Sequence, residues 1–135
     1  MKRLDSFLES TGAEFLVVGE LLIEGIEAYK AYMRHPGYDI TATNPATNRS
    51  CRIQVKSRWA TDFDGGFLIR KFDCDFVVVV ALNRGYRYGK KRSGARGGRG
   101  EPVFYVFPVK VVRNAQEARS KLGKVFLRKI ENVNQ

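Results

Sequence analysis

The run Phe76-Val77-Val78-Val79-Val80-Ala81-Leu82 constrains this chain more than any other stretch. β-Branched side chains suit a pleated surface, and a run without polar alternation leaves no face for water. It reads as a central strand covered on both sides. Val103-Phe104-Tyr105-Val106-Phe107 is a second run of the same kind, and Pro108 ends it. Covering both faces of a sheet requires helices on each, so the expected class is α/β with three layers. At 135 residues, the length suits a single domain, 1–135, with one core.

The first helical layer is read near the N-terminus. Leu4 to Ser10 reads as a short helix that docks Leu4, Phe7 and Leu8. Thr11-Gly12-Ala13-Glu14 has the form of a capping box, and an apolar helix is expected from about Ala13 to Met33. At about 100° per residue, Phe15, Val18, Leu21, Leu22 and Ile26 gather on one side, with Glu20, Glu24 and Glu27 opposite. Glu14 projects from the apolar side. A carboxylate there is costly unless a metal ion or a lysine pairs with it. The alternative is that Glu14 only closes the capping box. Glu20, roughly 120° away around the axis, is a second candidate for an acidic helix position. Pro36 and Gly37 stop the helix. The single histidine, His35, sits in that loop and reads as ordinary surface or as a general base.

A hairpin follows. Asn44-Pro45-Ala46-Thr47-Asn48-Arg49 carries turn chemistry, and folding the chain about Ala46-Thr47 sets Asp39 opposite Gln54. Strand side chains alternate, so Gln54 and Lys56 share one face while Ile53 and Val55 take the other. An aspartate, an amide and a lysine then converge at one end of the hairpin, with Ile40, Ile53 and Val55 turned to the core. Arg58 continues the polar face toward a phosphate, and Trp59 either stacks on a base or packs at the core rim.

Pro36-Gly37-Tyr38-Asp39 followed by Gln54-Val55-Lys56 resembles the PD-(D/E)XK nuclease superfamily, and within it the small Holliday-junction-resolvase-like members of archaea. The resemblance spans about the first 110 residues. It implies a restriction-endonuclease-like fold with a central mixed sheet flanked by helices and an αβββαβ core. It implies a Mg²⁺- or Mn²⁺-dependent endonuclease acting on DNA phosphodiesters, including branched or junction DNA. The implied catalytic set is Glu14, Asp39, Gln54 and Lys56. Asp39, Glu14, the Gln54 side-chain oxygen and the Val55 carbonyl are the implied metal ligands. The family carries a Glu near the start of its first long helix, in agreement with Glu14. Gln54 departs from the usual Glu or Asp. It offers a carbonyl oxygen without formal charge, so a non-catalytic nucleic-acid-binding module with the same fold is the alternative. Resolvase-like relatives imply a homodimer that cuts two strands symmetrically, and the sequence names no interface for it.

The partner is expected to be nucleic acid. Lys and Arg number 24 against 14 Asp and Glu, a net charge of +10. Solubility alone is the bland alternative. Residues 84–100 form a Gly-rich basic loop with seven cations and no acid: Arg84, Arg87, Lys90, Lys91, Arg92, Arg96 and Arg99. Such a stretch cannot bury a core, and phosphates are its natural ligand, with Tyr86 and Tyr88 able to stack on exposed bases.

The remaining features carry less. Asp62 and Asp64 beside Gly65-Gly66 look metal-like but read as a solvated turn before a short strand from Phe67 to Arg70. Asn114 is expected to cap a helix to about Leu122, and Val125 to Ile130 reads as an edge strand or a short helix. The N-terminus shows no signal-peptide h-region, and no apolar run is long enough for a membrane span. Cys51 and Cys74 lack metal-ligand spacing and read as buried, inert thiols. An intracellular, cytoplasmic protein follows as the expectation, nucleoid-associated when bound to DNA.

Overall fold

The computed structural model describes residues 6–31, 37–61, 66–69, 71–85, 98–116 and 124–126. Helix α1 (Ser6–Ile23) leads into β1 (Glu27–Lys30), β2 (Ile40–Asn44) and β3 (Arg49–Arg58). Then come β4 (Gly66–Leu68), β5 (Phe76–Ala81), β6 (Val103–Pro108), α2 (Val109–Ala115) and β7 (Lys124–Phe126). A five-stranded sheet has the order β1-β2-β3-β5-β6, and β4 pairs with β7 in a small second sheet. β3 and β5 run parallel and the other neighbours antiparallel, so the main sheet is mixed. Where the expected αβββαβ order has a helix, between the third and fourth main-sheet strands, the described residues hold β4, and a helix follows only after β6.

The continuous valine run is an inner strand. β5 lies between β3 and β6, and Val77, Val79 and Val80 are fully buried. Its side chains split between two cores. Val78 and Val80 join Ile40, Ile53, Ala28 and Ala42 under Ala13 and Val17 of α1. Val77 and Val79 join Phe67, Ile69, Phe107, Val112 and Ala115 on the opposite face, beside β4 and α2. The second apolar run behaves differently. Among the described residues β6 pairs with β5 alone, Phe107 is buried, and Val103 and Val106 are exposed. A run without alternation marks apolar character, not position in the sheet.

The first helix differs from expectation at both ends. It already runs at Ser6, so Thr11 lies mid-helix and no capping box forms there. It ends at Ile23. Gly25 adopts φ +84°, its N–H donates to the Leu22 carbonyl, and the Ile26 N–H donates to the Leu21 carbonyl at 2.9 Å. This 6→1 and 5→2 pair is a Schellman cap, which favours glycine at the left-handed position. Residues read as the second half of a long helix therefore form β1. The buried face is also another one: Glu9, Ala13 and Val17 are buried, while Phe7, Leu8, Phe15 and Leu22 are exposed. At the other end, α2 starts directly after Pro108, which suits a fixed φ before a first turn, and Asn114 lies inside it. Its expected extension to Leu122 lies outside the described residues. Lys124–Phe126 form a strand, one of the two options open from the sequence.

The hairpin has the expected register. Ile40 faces Ile53 and Asn44 faces Arg49, which sets Asp39 level with Gln54 just beyond the ladder. The turn is held by the Asn48 N–H on the Asn44 carbonyl, with Asn48 at φ +57° and the Asn44 side chain accepting from the Ala46 N–H. Cys51 and Cys74 belong to different cores on opposite faces of the sheet, Cys51 half-buried and Cys74 buried. No helix among the described residues is long and apolar enough to cross a membrane.

Candidate active site

β3 outlasts its neighbour. The β2 ladder stops at Ile40 opposite Ile53, while β3 runs on to Arg58. Residues 54–58 therefore pair with β5 on one side and lie past the end of the β2 ladder on the other. Asp39 sits at this step. Its N–H donates to the Ile53 carbonyl and its carbonyl accepts from the Ala31 N–H, both at 2.8 Å. Its carboxylate Oδ2 accepts from the Val55 N–H at 2.8 Å, replacing the strand partner that β2 no longer supplies. The carbonyl and N–H of one strand residue point to the same side, so the Val55 carbonyl also faces this step.

Asp39 links groups from both faces. Glu14, on α1, is held above its ordinary pKa of 4.5, chiefly by burial and then by the negative charge of Asp39, with which it is close enough to share a hydrogen bond. Lys56, on the face opposite α1, is held below its ordinary 10.5 by burial, opposed by the attraction of Asp39. Of the four expected catalytic side chains, Glu14 and Lys56 thus lie within reach of the charge of Asp39. Gln54 shares the Lys56 face by alternation, but its oxygen lies 4.0 Å from the donating Cys74 thiol, a weak contact turned toward the core. Cys74 itself stays a thiol, its pKa raised by burial and by nearby aspartates.

Lys30 was hidden from the sequence reading inside the expected long helix. On β1 its ammonium reaches Glu14 at 3.3 Å, with the two side chains only 19% and 15% exposed, and lies 5.0 Å from the centre of the Phe15 ring. The stop at Gly25 followed by Glu27-Ala28-Tyr29-Lys30, which alternates exposed and buried, was the available signal. The lysine already offsets part of the Glu14 charge. Lys30→Met is expected to push the Glu14 pKa further up. A carboxyl-carbon NMR titration of Glu14 reads this directly, and an unchanged midpoint would show that the bridge contributes nothing. Glu9 was also passed over. It is buried and accepts from the Ser57 hydroxyl at 2.7 Å, tying α1 to the strand that carries Lys56.

Gly37, Tyr38 and Asp39 are set in place from behind. Gly37 has φ +103°, and a Cβ there would lie 2.8 Å from the Asp73 Cβ and 2.9 Å from the Asp73 nitrogen. Asp73 pairs with Arg52 at 2.9 Å, whose guanidinium lies 5.5 Å from the centre of the Tyr38 ring. Asp75 accepts from the Arg52 N–H at 2.8 Å.

The ends of the basic loop are anchored near the same step. The Arg84 N–H donates to the Trp59 carbonyl, Thr61 and Gly85 exchange hydrogen bonds, and Arg84 bridges to Arg99. Lys56 and Trp59 are three residues apart on one extended segment, about 10 Å. Arg84 and Arg99 are exposed there and Arg58 is half-buried. Arg87, Lys90, Lys91, Arg92 and Arg96 lie outside the described residues, as do His35, Pro36, Asp62 and Asp64. Trp59 packs against the core under α1, the rim alternative of its two readings.

The oxygen donors at the step are hard ones, two carboxylates with a backbone carbonyl nearby, a set that suits Mg²⁺, while the Gln54 oxygen is turned toward Cys74. The crowded charge of Glu14 and Asp39 is what a divalent cation relieves. Among the described residues no group of three or more His, Cys, Asp or Glu side chains is gathered for a metal.

Among solved structures the chain is similar to a bacterial homing endonuclease, with a TM-score of 0.59 and 18% identity over 92% of this chain and 78% of that one. It is also similar to Hjc, a Holliday junction resolvase from the archaeal hyperthermophile Archaeoglobus fulgidus, with a TM-score of 0.52 and 17% identity over 90% of this chain and 92% of that one. No protein-family model matches the sequence and no curated protein matches it. At these identities the likeness shows the fold alone: the chain has a mixed-sheet, restriction-endonuclease-like α/β fold.

Proposed function

We propose, from the premise of a restriction-endonuclease-like fold, that this chain is a nuclease and that its substrate is DNA, cut with a divalent cation at the step beside Asp39. The observation that carries the reading is the position of Asp39, whose carboxylate acts on Glu14 from one face of the sheet and on Lys56 from the other. By their descriptions the two neighbours of this fold are a homing endonuclease and a Holliday junction resolvase. Asp39 and Glu14 would hold Mg²⁺ or Mn²⁺, with the Val55 carbonyl and the Gln54 side-chain oxygen as further donors. The cation would activate water and offset charge on the scissile phosphate. Lys56 Nζ would orient that water and stabilise negative charge on the phosphate oxygens, and its lowered pKa leaves more of it neutral, able to take a proton, than an exposed lysine. Arg84, Arg99 and the basic residues between them would hold the backbone.

Purified protein with Mg²⁺ or Mn²⁺ is expected to nick duplex or branched DNA, and Asp39→Ala to remove both cleavage and the heat of Mn²⁺ binding. Intact DNA across duplex, flap and junction substrates with either metal would overturn the enzyme reading. Junction preference is the finer proposal, tested by comparing cleavage of a four-way junction with that of its linear arms.

Gln54 favours a second reading, a DNA-binding module without catalysis. Its amide adds no charge to the carboxylates of Asp39 and Glu14. Salt-sensitive DNA binding without cleavage, with no Mn²⁺ heat from either wild type or Gln54→Glu, would select it. Mn²⁺ binding by wild type that tightens in Gln54→Glu would select the nuclease.

A further inference from the structure

Given a divalent cation beside Asp39, the reading on which this rests, we infer that Lys30 is a counterion built into that site. Its ammonium contests Glu14 with the cation and so sets how tightly the site holds it. Strand side chains alternate, and Ala28, two residues before Lys30, is buried under α1, so Lys30 leaves β1 on the same helix-facing side. Its Nζ lies 3.3 Å from Glu14 Oε2 and 5.0 Å from the centre of the Phe15 ring. The backbone holds it level with the step. Lys30 pairs with Ile40 in the ladder, and the next residue, Ala31, donates its N–H to the Asp39 carbonyl at 2.8 Å. The end of β1 is thus hydrogen-bonded to the residue that carries the central carboxylate.

Burial gives this arrangement its weight. Ion pairs on a wet surface are screened and contribute little, but the Lys30 and Glu14 side chains are both mostly buried. A charge fixed there acts on any ion that arrives. On the α1 side of the site Glu14 and Asp39 bring two negative charges, and Lys30 offsets one of them. A cation that takes Glu14 must displace the ammonium from Oε2. It then has a like charge for a neighbour, because the Phe15 ring and the backbone of β1 keep the lysine close.

Other uses of Lys30 differ in their consequences. Among the described strands β1 ends the main sheet, and an inward-pointing charge on such a strand discourages edge-to-edge pairing. A buried ion pair can also simply tie a strand to a helix. Neither role makes cation affinity depend on the charge at position 30. The counterion role does, since it exchanges a monovalent ammonium for a divalent ion on one carboxylate. Glu14 stays paired throughout that exchange, which avoids the high cost of a buried charge left alone.

Titration calorimetry of the full chain with Mn²⁺ is the test, with Asp39→Ala as the blank for heat arising elsewhere. A buffer near about pH 8 limits competition from protons for Glu14. Lys30→Met is expected to bind Mn²⁺ about 10-fold more tightly than wild type, and Lys30→Gln likewise, whereas Lys30→Arg, which keeps the charge, should stay within about threefold. Thermal melts give a second reading. Mn²⁺ should raise the melting temperature more in Lys30→Met than in wild type, because the added stability grows with affinity. Equal affinity in wild type and Lys30→Met, or weaker binding by the variant, would overturn the counterion and leave the cation site standing. Binding by Lys30→Arg as tight as by Lys30→Met would overturn it as well, since charge would then not be the cause. No Asp39-dependent heat from any of these proteins would overturn the cation site itself, and the counterion with it.

Discussion

Lys56→Met is expected to lower DNA cleavage by about 10³-fold and at the same time raise the melting temperature by roughly 2–5 °C. The two effects have one cause. Lys56 is taken partly out of water on the face opposite α1, and burial holds its pKa below 10.5 despite the pull of Asp39. The folded state therefore binds fewer protons than the unfolded chain between the lowered pKa and 10.5. Stability rises with pH across that window, and below it the charge opposes folding in full. Methionine keeps the length of the side chain and removes the charge. A lysine that packing alone required would be missed in the opposite way, with lower stability and cleavage intact. Thermal melts at pH 7 beside single-turnover cleavage separate the two. Persistent cleavage in Lys56→Met would remove this residue from the mechanism.

Gly37→Ala is expected to cost about 2–4 kcal/mol, a fall in melting temperature of roughly 7–14 °C for a chain of this size. Part of the cost is the backbone, since φ +103° is a region that L side chains rarely adopt. The rest is the Cβ, which would press on the Asp73 backbone at 2.9 Å, where no flexible side chain can yield. Asp73 is tied to Arg52 and through it to the strand, so relief must come from the Gly37-Tyr38-Asp39 segment. That segment carries the carboxylate whose Oδ2 meets the Val55 N–H. Cleavage by the folded fraction is accordingly expected to drop about 10²-fold, the usual penalty for an ångström of misplacement. A Gly37→Ala protein with wild-type stability would show that the loop shifts at no cost.

The hairpin was legible in the sequence because its information is local. Asn44 to Arg49 specify the turn, the turn sets the register, and period-two alternation then assigns Ile53 and Val55 to one core and Gln54 and Lys56 to the other face. The inner position of β5 was legible for a similar reason, since an uninterrupted valine run can be satisfied only between two layers. The first helix was misread because its apolar residues surround most of the axis. When nearly every direction is apolar, periodicity cannot say which side meets the sheet, and the Gly25 cap was outweighed by the apolar residues after it. That error concealed Lys30 and turned Phe15 inward, although the structure leaves it half-exposed.

The chain alone thus determined the layers, the hairpin and the level of Asp39 with Gln54, because each follows from residues near one another in sequence. Only the tertiary structure decided which groups answer Asp39. Glu14 answers it from a helix on one side, paired there with Lys30 of β1, and Lys56 answers it from the other, at the place where β2 ends before β3 does. Such proximity depends on where separate elements stop and how they cross, and burial and mutual charge then shift Glu14 upward and Lys56 downward. No local pattern encodes those distances.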